Sequence, residues 1–577
     1  MREPEDDPVL DGSAGGWRAL FPPAQWLPLY RKSWLRHDVV AGVTLAAYAI
    51  PVSLAYASLA GLPPQYGIYC YLVGGIAYGL FGSSRQLAVG PTSAISMLVG
   101  ATVAGMSAGD VALGAKIAAL TALVFALMSF LAWLLRLSSL VSFISETILL
   151  GFKAGAALTI AMTQLPKLFG VPGGGENFFE RVWILGSQLP DTQLVILAFG
   201  VTAIAALVAG DKFLPARPIA LGVVIASIIA LSVTPLSQLG FKTVGVLPAG
   251  LPALALPDMR PRDVDGIIPL AFACFLLAYL EGVSAARALA ANHGDEINPR
   301  QELLALAAAN CATAFSQGYP VAGGLSQSTV NDKAGARTPL ALVFASVTIA
   351  GCLLFLTDLL RNLPQVVLAA IVLVAVKGLI NLPEMRRLWT LSRMEFFVAA
   401  AALAGVLVLG ILRGVLLAAI VSMLLLIHRA ARPHVAVLGR VPGTSRYSDL
   451  ERNPDNEVVP GVLIVRVESS LLYFNVGHVR DEVRRHVGDA GDGLRLVVWD
   501  LSTSPYVDVA GARLLREMQR MLAARGATLR VVEARSSVRD LIREEIGTSI
   551  GEVSRRISID DVIAALPPAP SPPALAP

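Results

Sequence analysis

Val89-Gly90-Pro91-Thr92-Ser93-Ala94 in the first half of the chain and Tyr319-Pro320-Val321-Ala322-Gly323-Gly324-Leu325-Ser326-Gln327-Ser328 in the second interrupt apolar sequence in the same way. Each is a Gly/Pro breaker followed by hydroxyl residues able to cap a helix, and the apolar segment after each is short. At membrane depth irregular backbone is tolerated only where it is buried in protein or lines a cavity, because lipid offers it no hydrogen bonds. At matching positions in two halves, the clusters read as paired half-helices whose N-termini face each other near the bilayer midplane. Free backbone N–H groups there bind an anion without a fixed cation.

Composition carries the membrane reading. Of 577 residues 55% are hydrophobic and 15% charged, against roughly 45–50% and about 25% in soluble domains. With a mean hydropathy of +0.64, the apolar residues cannot all hide in compact cores, so lipid must be the solvent for much of the chain. From Val39 to Ser84 there is no charged residue, which is two spans broken at Gly61-Leu62-Pro63-Pro64. Further uncharged runs continue to about residue 430, enough for about 14 spans at roughly 28 residues per span and loop. The balance of 46 basic and 42 acidic residues, with no basic run interleaved with aromatics, excludes a nucleic-acid partner. Cys70, Cys274, Cys311 and Cys352 lie in apolar stretches without CxxC spacing and read as small buried hydrophobes.

Basic residues set the orientation. Arg31, Lys32 and Arg36 precede the first span, and Arg429 and Arg432 follow the last. Between them Arg85, Arg136, Lys212 with Arg217, His293 with Arg300, Lys333 with Arg337, and Arg386, Arg387 with Arg393 fall in alternate loops. Those loops, and both termini, are expected on the cytoplasmic side of a bacterial inner membrane. Arg260 and Arg262 are the exceptions, beside Asp258, Asp263 and Asp265. The domains expected are a cytoplasmic segment 1–37, a transport domain 38–430, a linker 431–456, a small α/β domain 457–566 and a disordered Pro-rich tail 567–577. In the α/β domain, strands at Val462–Val467, Leu494–Leu501 and Thr528–Val532 alternate with amphipathic stretches at Val476–Val487 and Ala510–Arg525.

Glu281 lies well inside a span, in Phe272–Arg287, where an ionisable group costs several kcal/mol unless it faces a wet cavity or carries a proton. It is the candidate coupling residue, with small polar Ser284 on the same face. The competing reading is a structural carboxylate paired with a neighbouring helix. Lys153, Lys377 and Arg413 read as interface or loop residues, and Arg287 as a snorkelling one.

These residues resemble the SulP family of sulfate permeases and anion exchangers. The resemblance rests on Ile50–Tyr69, which contains Pro51, Tyr56 and Leu62-Pro63-Pro64-Gln65-Tyr66-Gly67, and on Phe81–Pro91, Asn298–Leu306 and the Tyr319–Ser328 segment. The C-terminal domain resembles a STAS domain, with Asp500-Leu501-Ser502 and Val507-Asp508-Val509-Ala510-Gly511 at its strand-to-helix turn. The resemblance implies 14 segments in two inverted repeats of seven, core segments 1–4 and 8–11 against gate segments 5–7 and 12–14. It further implies a homodimer, elevator-type movement, and substrate contacts from Tyr56, Thr92, Ser93, Ser326, Gln327 and Ser328. Many members carry Arg where this chain has Gln327, so the positive potential would come from helix N-termini, and Glu281 would supply a coupled H⁺ or help hold Na⁺ with Ser284. Asp508-Val509 lacks the serine that phosphorylatable antagonists carry there, so no phospho-switch operates at that position.

The reading is a polytopic α-helical membrane protein with a small cytoplasmic α/β STAS domain. It is a secondary active anion transporter, with H⁺-coupled sulfate symport first and Na⁺-coupled bicarbonate or H⁺-coupled C4-dicarboxylate symport next. An uncoupled anion channel and a STAS-based signalling protein are the alternatives of another class, and a nucleobase permease would lack residues 457–566. Outside Glu281 the sequence has no paired carboxylates, nucleophile with base or metal cluster, so no enzyme, resident metal or cofactor is expected. The partners expected are a small inorganic or organic anion, membrane lipid, a second copy and a cytoplasmic protein at the STAS domain.

Overall fold

The structure, a computed structural model, describes residues 20–138, 146–214, 218–234, 239–257, 264–547 and 557–566. Arg217, Asp258, Arg260, Arg262, Asp263, the first 19 residues and the Pro-rich tail lie outside them. The chain forms two compact units, Met1–Ser422 and Met423–Pro577.

The first unit is built from helices α1 (Lys32–Leu59), α2 (Gln65–Phe81), α3 (Ser93–Ser107), α4 (Val111–Leu134), α5 (Glu146–Phe169), α6 (Leu194–Phe213) and α7 (Ile219–Val233). After them come α8 (Val264–His293), α9 (Pro299–Phe315), α10 (Leu325–Lys333), α11 (Leu340–Phe355), α12 (Gln365–Lys377), α13 (Arg393–Leu409) and α14 (Ile411–Ala431), whose residues after Ser422 belong to the second unit. Two short strands, β1 (Val89–Gly90) and β2 (Ala322–Gly323), lead into α3 and α10. Six of the described helices are long and apolar enough to cross a bilayer alone, and α3, α7 and α11 are shorter apolar helices. Leu127, Leu131, Val201, Val233 and Phe355 face outward, a surface that lipid solvates and water would not.

Packing repeats across the two halves. Helix α1 packs on α11 as α8 packs on α4, α2 on α11 as α9 on α4, and α5 on α13 as α12 on α6. Each partner is displaced by seven segments, an odd number, so equivalent spans run in opposite directions and the repeat is inverted. Helices 1–4 and 8–11 make one group and 5–7 with 12 and 13 another, joined where α1 meets α7 and α12 and where α3 meets α5 and α12.

Two buried carboxylates anchor turns beside the breaks, one before β1 and one after α10. Glu302, in the first turn of α9, accepts the Ser83 amide (2.9 Å), its hydroxyl (2.7 Å) and the Tyr78 hydroxyl (3.0 Å). Asp38 accepts the amides of Arg337 (2.8 Å) and Thr338 (3.0 Å) and the Thr338 hydroxyl (2.7 Å). Both are almost fully enclosed, and their lone pairs are satisfied locally, the condition on which a buried carboxylate is tolerated.

In the second unit, strands β3 (Val435–Arg440), β4 (Tyr447–Asp449), β5 (Val462–Val467), β6 (Leu496–Asp500) and β7 (Thr528–Val532) form a sheet ordered β4-β3-β5-β6-β7. The pairs β5–β6 and β6–β7 are parallel, and β3 is antiparallel to both neighbours. Residues 431–456, expected to be a linker, therefore hold two strands of the sheet; Val435 and Ala436 are buried where β3 pairs with distant β5. Helices α15 (Val476–Asp489), α16 (Val509–Ala523) and α17 (Ser536–Ile546) bury Val479, Val483, Leu515, Met518 and Ile542 against Trp499 and Val465. Asp508 caps α16, accepting the amides of Gly511 (2.9 Å) and Tyr473 (2.7 Å). His434, Asp449 and Glu451 bring one ligand atom each within 4.8 Å of one another, a set far apart in sequence that composition did not reveal.

Candidate functional site

The two breaks meet. Strands β1 and β2 pair antiparallel, with Val89 opposite Gly323 and Gly90 opposite Ala322. This two-stranded crossing delivers the chain into α3 and α10. Gly90 is required by close approach, since a Cβ there would lie 2.4 Å from the Tyr71 ring.

Neither helix start is capped by a side chain: Thr92 precedes α3 in extended conformation, and Gly324 precedes α10. The first-turn amides of Ser93, Ala94 and Ile95, and of Leu325, Ser326 and Gln327, therefore have no intrahelical acceptor. Thr92 would normally turn its hydroxyl back as a cap. Instead Thr92 Oγ1 is buried and has no hydrogen-bond partner among the described residues. Two uncapped helix starts and a hydroxyl without a partner among the described residues thus present hydrogen-bond donors at the positive ends of two helix dipoles.

The remaining candidates divide into two groups. Ser93 is buried beside the Tyr56 hydroxyl, which also lies in the field of Glu281, and Ser326 is exposed. Gln327 and Ser328, expected as substrate contacts, have their side chains committed elsewhere. Gln327 Nε2 donates to the carbonyls of Ala88 (3.0 Å) and Ala322 (3.2 Å), and Tyr71 Oη donates to Gln327 Oε1. Ser328 Oγ accepts the Ala88 amide (2.8 Å) and donates to the Gly324 carbonyl (2.7 Å). These two side chains fasten the crossing, and no Gln327 side-chain donor remains for a ligand.

The fastening continues outward. Tyr319 and Ser96 share a hydroxyl hydrogen bond (3.2 Å), and Asn331 Nδ2 donates to the Gln86 carbonyl (3.0 Å). Cys70 Sγ accepts the Tyr319 amide (3.2 Å) and faces its carbonyl (3.4 Å), so this cysteine is a backbone partner and not only a small hydrophobe.

Glu281 is on α8, which runs past β2, and the next residue, Gly282, faces the Gly323 backbone. Its carboxylate is half-buried and makes no hydrogen bond or ion pair with any described residue. That is not a structural carboxylate paired with a neighbouring helix. The charge that acts on it belongs to Lys153, half-buried in the middle of α5. Lys153 is therefore no loop residue: its apolar surroundings, Leu149-Leu150-Gly151-Phe152 and Ala154-Gly155-Ala156, satisfy the same rule that singled out Glu281. Ser284 is exposed, one turn along α8.

The Sulfate permease family profile matches residues 35–402, and the STAS domain profile matches residues 453–547. The chain belongs to the sulfate permease family. A probable sulfate transporter of Mycobacterium tuberculosis is 33% identical over 514 residues, covering 89% of this chain and 92% of the relative. The murine solute carrier 26 family member A9 anion transporter, solved in the inward-facing state, aligns with a TM-score of 0.84 at 22% identity over 96% of each chain. The transmembrane domain of the cyanobacterial bicarbonate transporter BicA aligns at 0.60 and 21% identity, over 67% of this chain and 98% of that one. With its long apolar helices and STAS domain, this sulfate permease family member is an integral membrane anion transporter and not an enzyme.

Proposed function

We propose that the chain is a secondary active symporter of a small oxyanion, sulfate first, coupled to H⁺ through Glu281. The observation that carries this is the unpartnered, half-buried Glu281 carboxylate beside two uncapped helix starts. The anion occupies the space served by Ser93, Thr92 Oγ1, Ser326, Tyr56 and the first-turn amides. Proton and anion lie within each other's field, so each favours the other's binding by the same factor. The sulfate transporter relative supports the choice of substrate.

Movement follows from the packing. Core helices 1–4 and 8–11 carry the crossing and Glu281, while Lys153 belongs to gate helix α5. An elevator displacement of core against gate would carry the site past a fixed cation. The gate is the proposed homodimer scaffold, the basic loops face the cytoplasm of an inner membrane, and the STAS domain is the seat of regulation or of a cytoplasmic partner.

Uptake of labelled sulfate, bicarbonate, fumarate and chloride into proteoliposomes tests the reading, with imposed pH gradients and with or without Na⁺. Sulfate accumulation that follows the H⁺ gradient is expected. Accumulation that follows Na⁺ and ignores pH would move the reading to a cation site at Glu281 and Ser284, and passive flux without accumulation would make the protein a channel. Lys153→Gln should weaken apparent sulfate affinity three- to tenfold, about 1 kcal/mol of lost attraction, with Lys153→Arg close to wild type. Equal half-saturation in all three proteins would remove Lys153 from the anion's path.

A further inference from the structure

Lys167 is the second cation of α5, and no motif in the sequence points to it. It lines a cavity of about 280 Å³ walled on one side by Ala55, Ser58 and Pro64, at the end of α1 and the turn to α2, and on the other by Gln164 and Lys167 of α5 and Gln365 of α12. At ~30 Å³ per water, that volume has room for roughly nine waters, ample for a hydrated oxyanion. The cavity lies on the core–gate boundary, since α1 is core and α5 and α12 are gate.

The Lys167 ammonium is half-buried and makes no hydrogen bond or ion pair with any described residue. A lysine in the last turn of a helix is ordinarily explained by the helix dipole. The dipole brings no counter-ion, and the cavity that solvates this ammonium leaves it facing open space. The neighbouring amides do not neutralise it: Gln164 Nε2 donates to Thr163 Oγ1 (3.0 Å) and Gln365 Nε2 to the Thr243 carbonyl (3.2 Å). What such a cavity lacks is a negative charge.

Spacing ties this cation to the central site. Lys153 and Lys167 are 14 positions apart, two heptads, which places them about 21 Å apart along α5 and within about 40° of one face. On the opposing wall, Ala55 and Ser58 share one face of α1, within two positions of Tyr56 along the helix, whose side chain points to another face. One cation accompanies Glu281 at the crossing and the other lies toward the membrane face opposite the basic loops.

We propose that the Lys167 cavity is an anion-loading site on the core–gate boundary, where an oxyanion pauses between bulk water and the Tyr56–Ser93 crossing. It rests on the reading of the chain as an oxyanion symporter and adds a second binding station to it. Lys167 supplies the charge and Ser58 a hydroxyl on the moving wall.

Ser58→Cys in the full chain, reconstituted in proteoliposomes, tests this without relying on flux. Anionic and cationic methanethiosulfonate reagents of matched size are applied from outside, with the wild-type protein as background for the native cysteines. The anionic reagent is expected to react about tenfold faster. Adding Lys167→Gln should bring the two rates together, Lys167→Arg should restore the preference, and sulfate should slow the anionic reagent only when a cation stands at 167. An introduced thiol that reacts with neither reagent, rates that show no charge preference, or a preference that survives Lys167→Gln each overturns the proposal. If the preference behaves as expected but sulfate neither slows modification nor crosses the membrane, the loading site stands for another anion and the sulfate reading fails.

Discussion

Glu281→Gln is expected to bind sulfate and exchange it for sulfate across the membrane while losing all accumulation driven by a pH gradient. With the membrane potential clamped at zero, one co-transported proton raises internal anion about tenfold per pH unit imposed, the equivalent of 1.36 kcal/mol. The glutamine amide keeps the size of the protonated carboxyl and its lack of charge, so the anion still finds an uncompensated pair of helix starts. The cycle has no site at which to load or release the proton. Since Glu281 has no hydrogen-bond partner among the described residues, the substitution orphans no neighbour, and the protein should elute and melt as the wild type does. Exchange and accumulation measured side by side decide the matter. A mutant that still concentrates sulfate under a proton gradient would transfer the coupling role to another group, and a mutant that neither exchanges nor accumulates would make Glu281 part of the binding site itself.

What can be read in the sequence is what a local pattern determines. Clustered Gly/Pro breakers followed by hydroxyl residues inside apolar runs, as at 89–94 and 319–328, mark half-helices because irregular backbone needs protein around it, whereas single prolines such as Pro51 and Pro269 stay inside continuous helices. A carboxylate in the middle of such a run declares Glu281 by the same logic. Lys153 carries an equal signal in its own stretch, but its meaning depends on α5 lying close to α8, which no spacing along the chain announces. Asp38 and Glu302 look like ordinary charges at the ends of spans, and only the fold shows them closed over backbone amides. Strand β4 has only three residues, and β3, as long as β5, begins just past Pro433 and ends in Gly439-Arg440, so neither stands out until β5 is beside β3. Residues 327 and 328 read as substrate contacts because hydroxyl and amide side chains at a helix start suit an anion. Their partners, Tyr71 and Ala88, lie in the other half of the chain, and those partners turn them into fasteners.

Gln327 therefore separates two variants that a substrate-contact role would not. Gln327→Leu removes the donations to the Ala88 and Ala322 carbonyls and the acceptor of the Tyr71 hydroxyl; Ala88 keeps the Gly324 amide and the Ser328 hydroxyl, but the buried Tyr71 hydroxyl loses its acceptor, at about 1–3 kcal/mol. The β1–β2 crossing should loosen, thermal stability in detergent should fall steeply, and transport should be lost with every anion tried. Gln327→Arg is expected to fold. A guanidinium offers five donors in a fixed fork, enough for both carbonyls and for the Tyr71 oxygen acting as acceptor. Its extra length carries positive charge toward the two helix starts, so sulfate should bind several-fold more tightly and uptake should depend less on external pH, with a fixed cation doing part of what the proton does. Melting curves and sulfate half-saturation at two pH values check both variants. A Gln327→Leu protein that melts with the wild type would show that the crossing is held by the backbone pairing and Ser328 without Gln327. A Gln327→Arg protein that folds normally and binds sulfate no better at either pH would show that residue 327 lies outside the field of the anion.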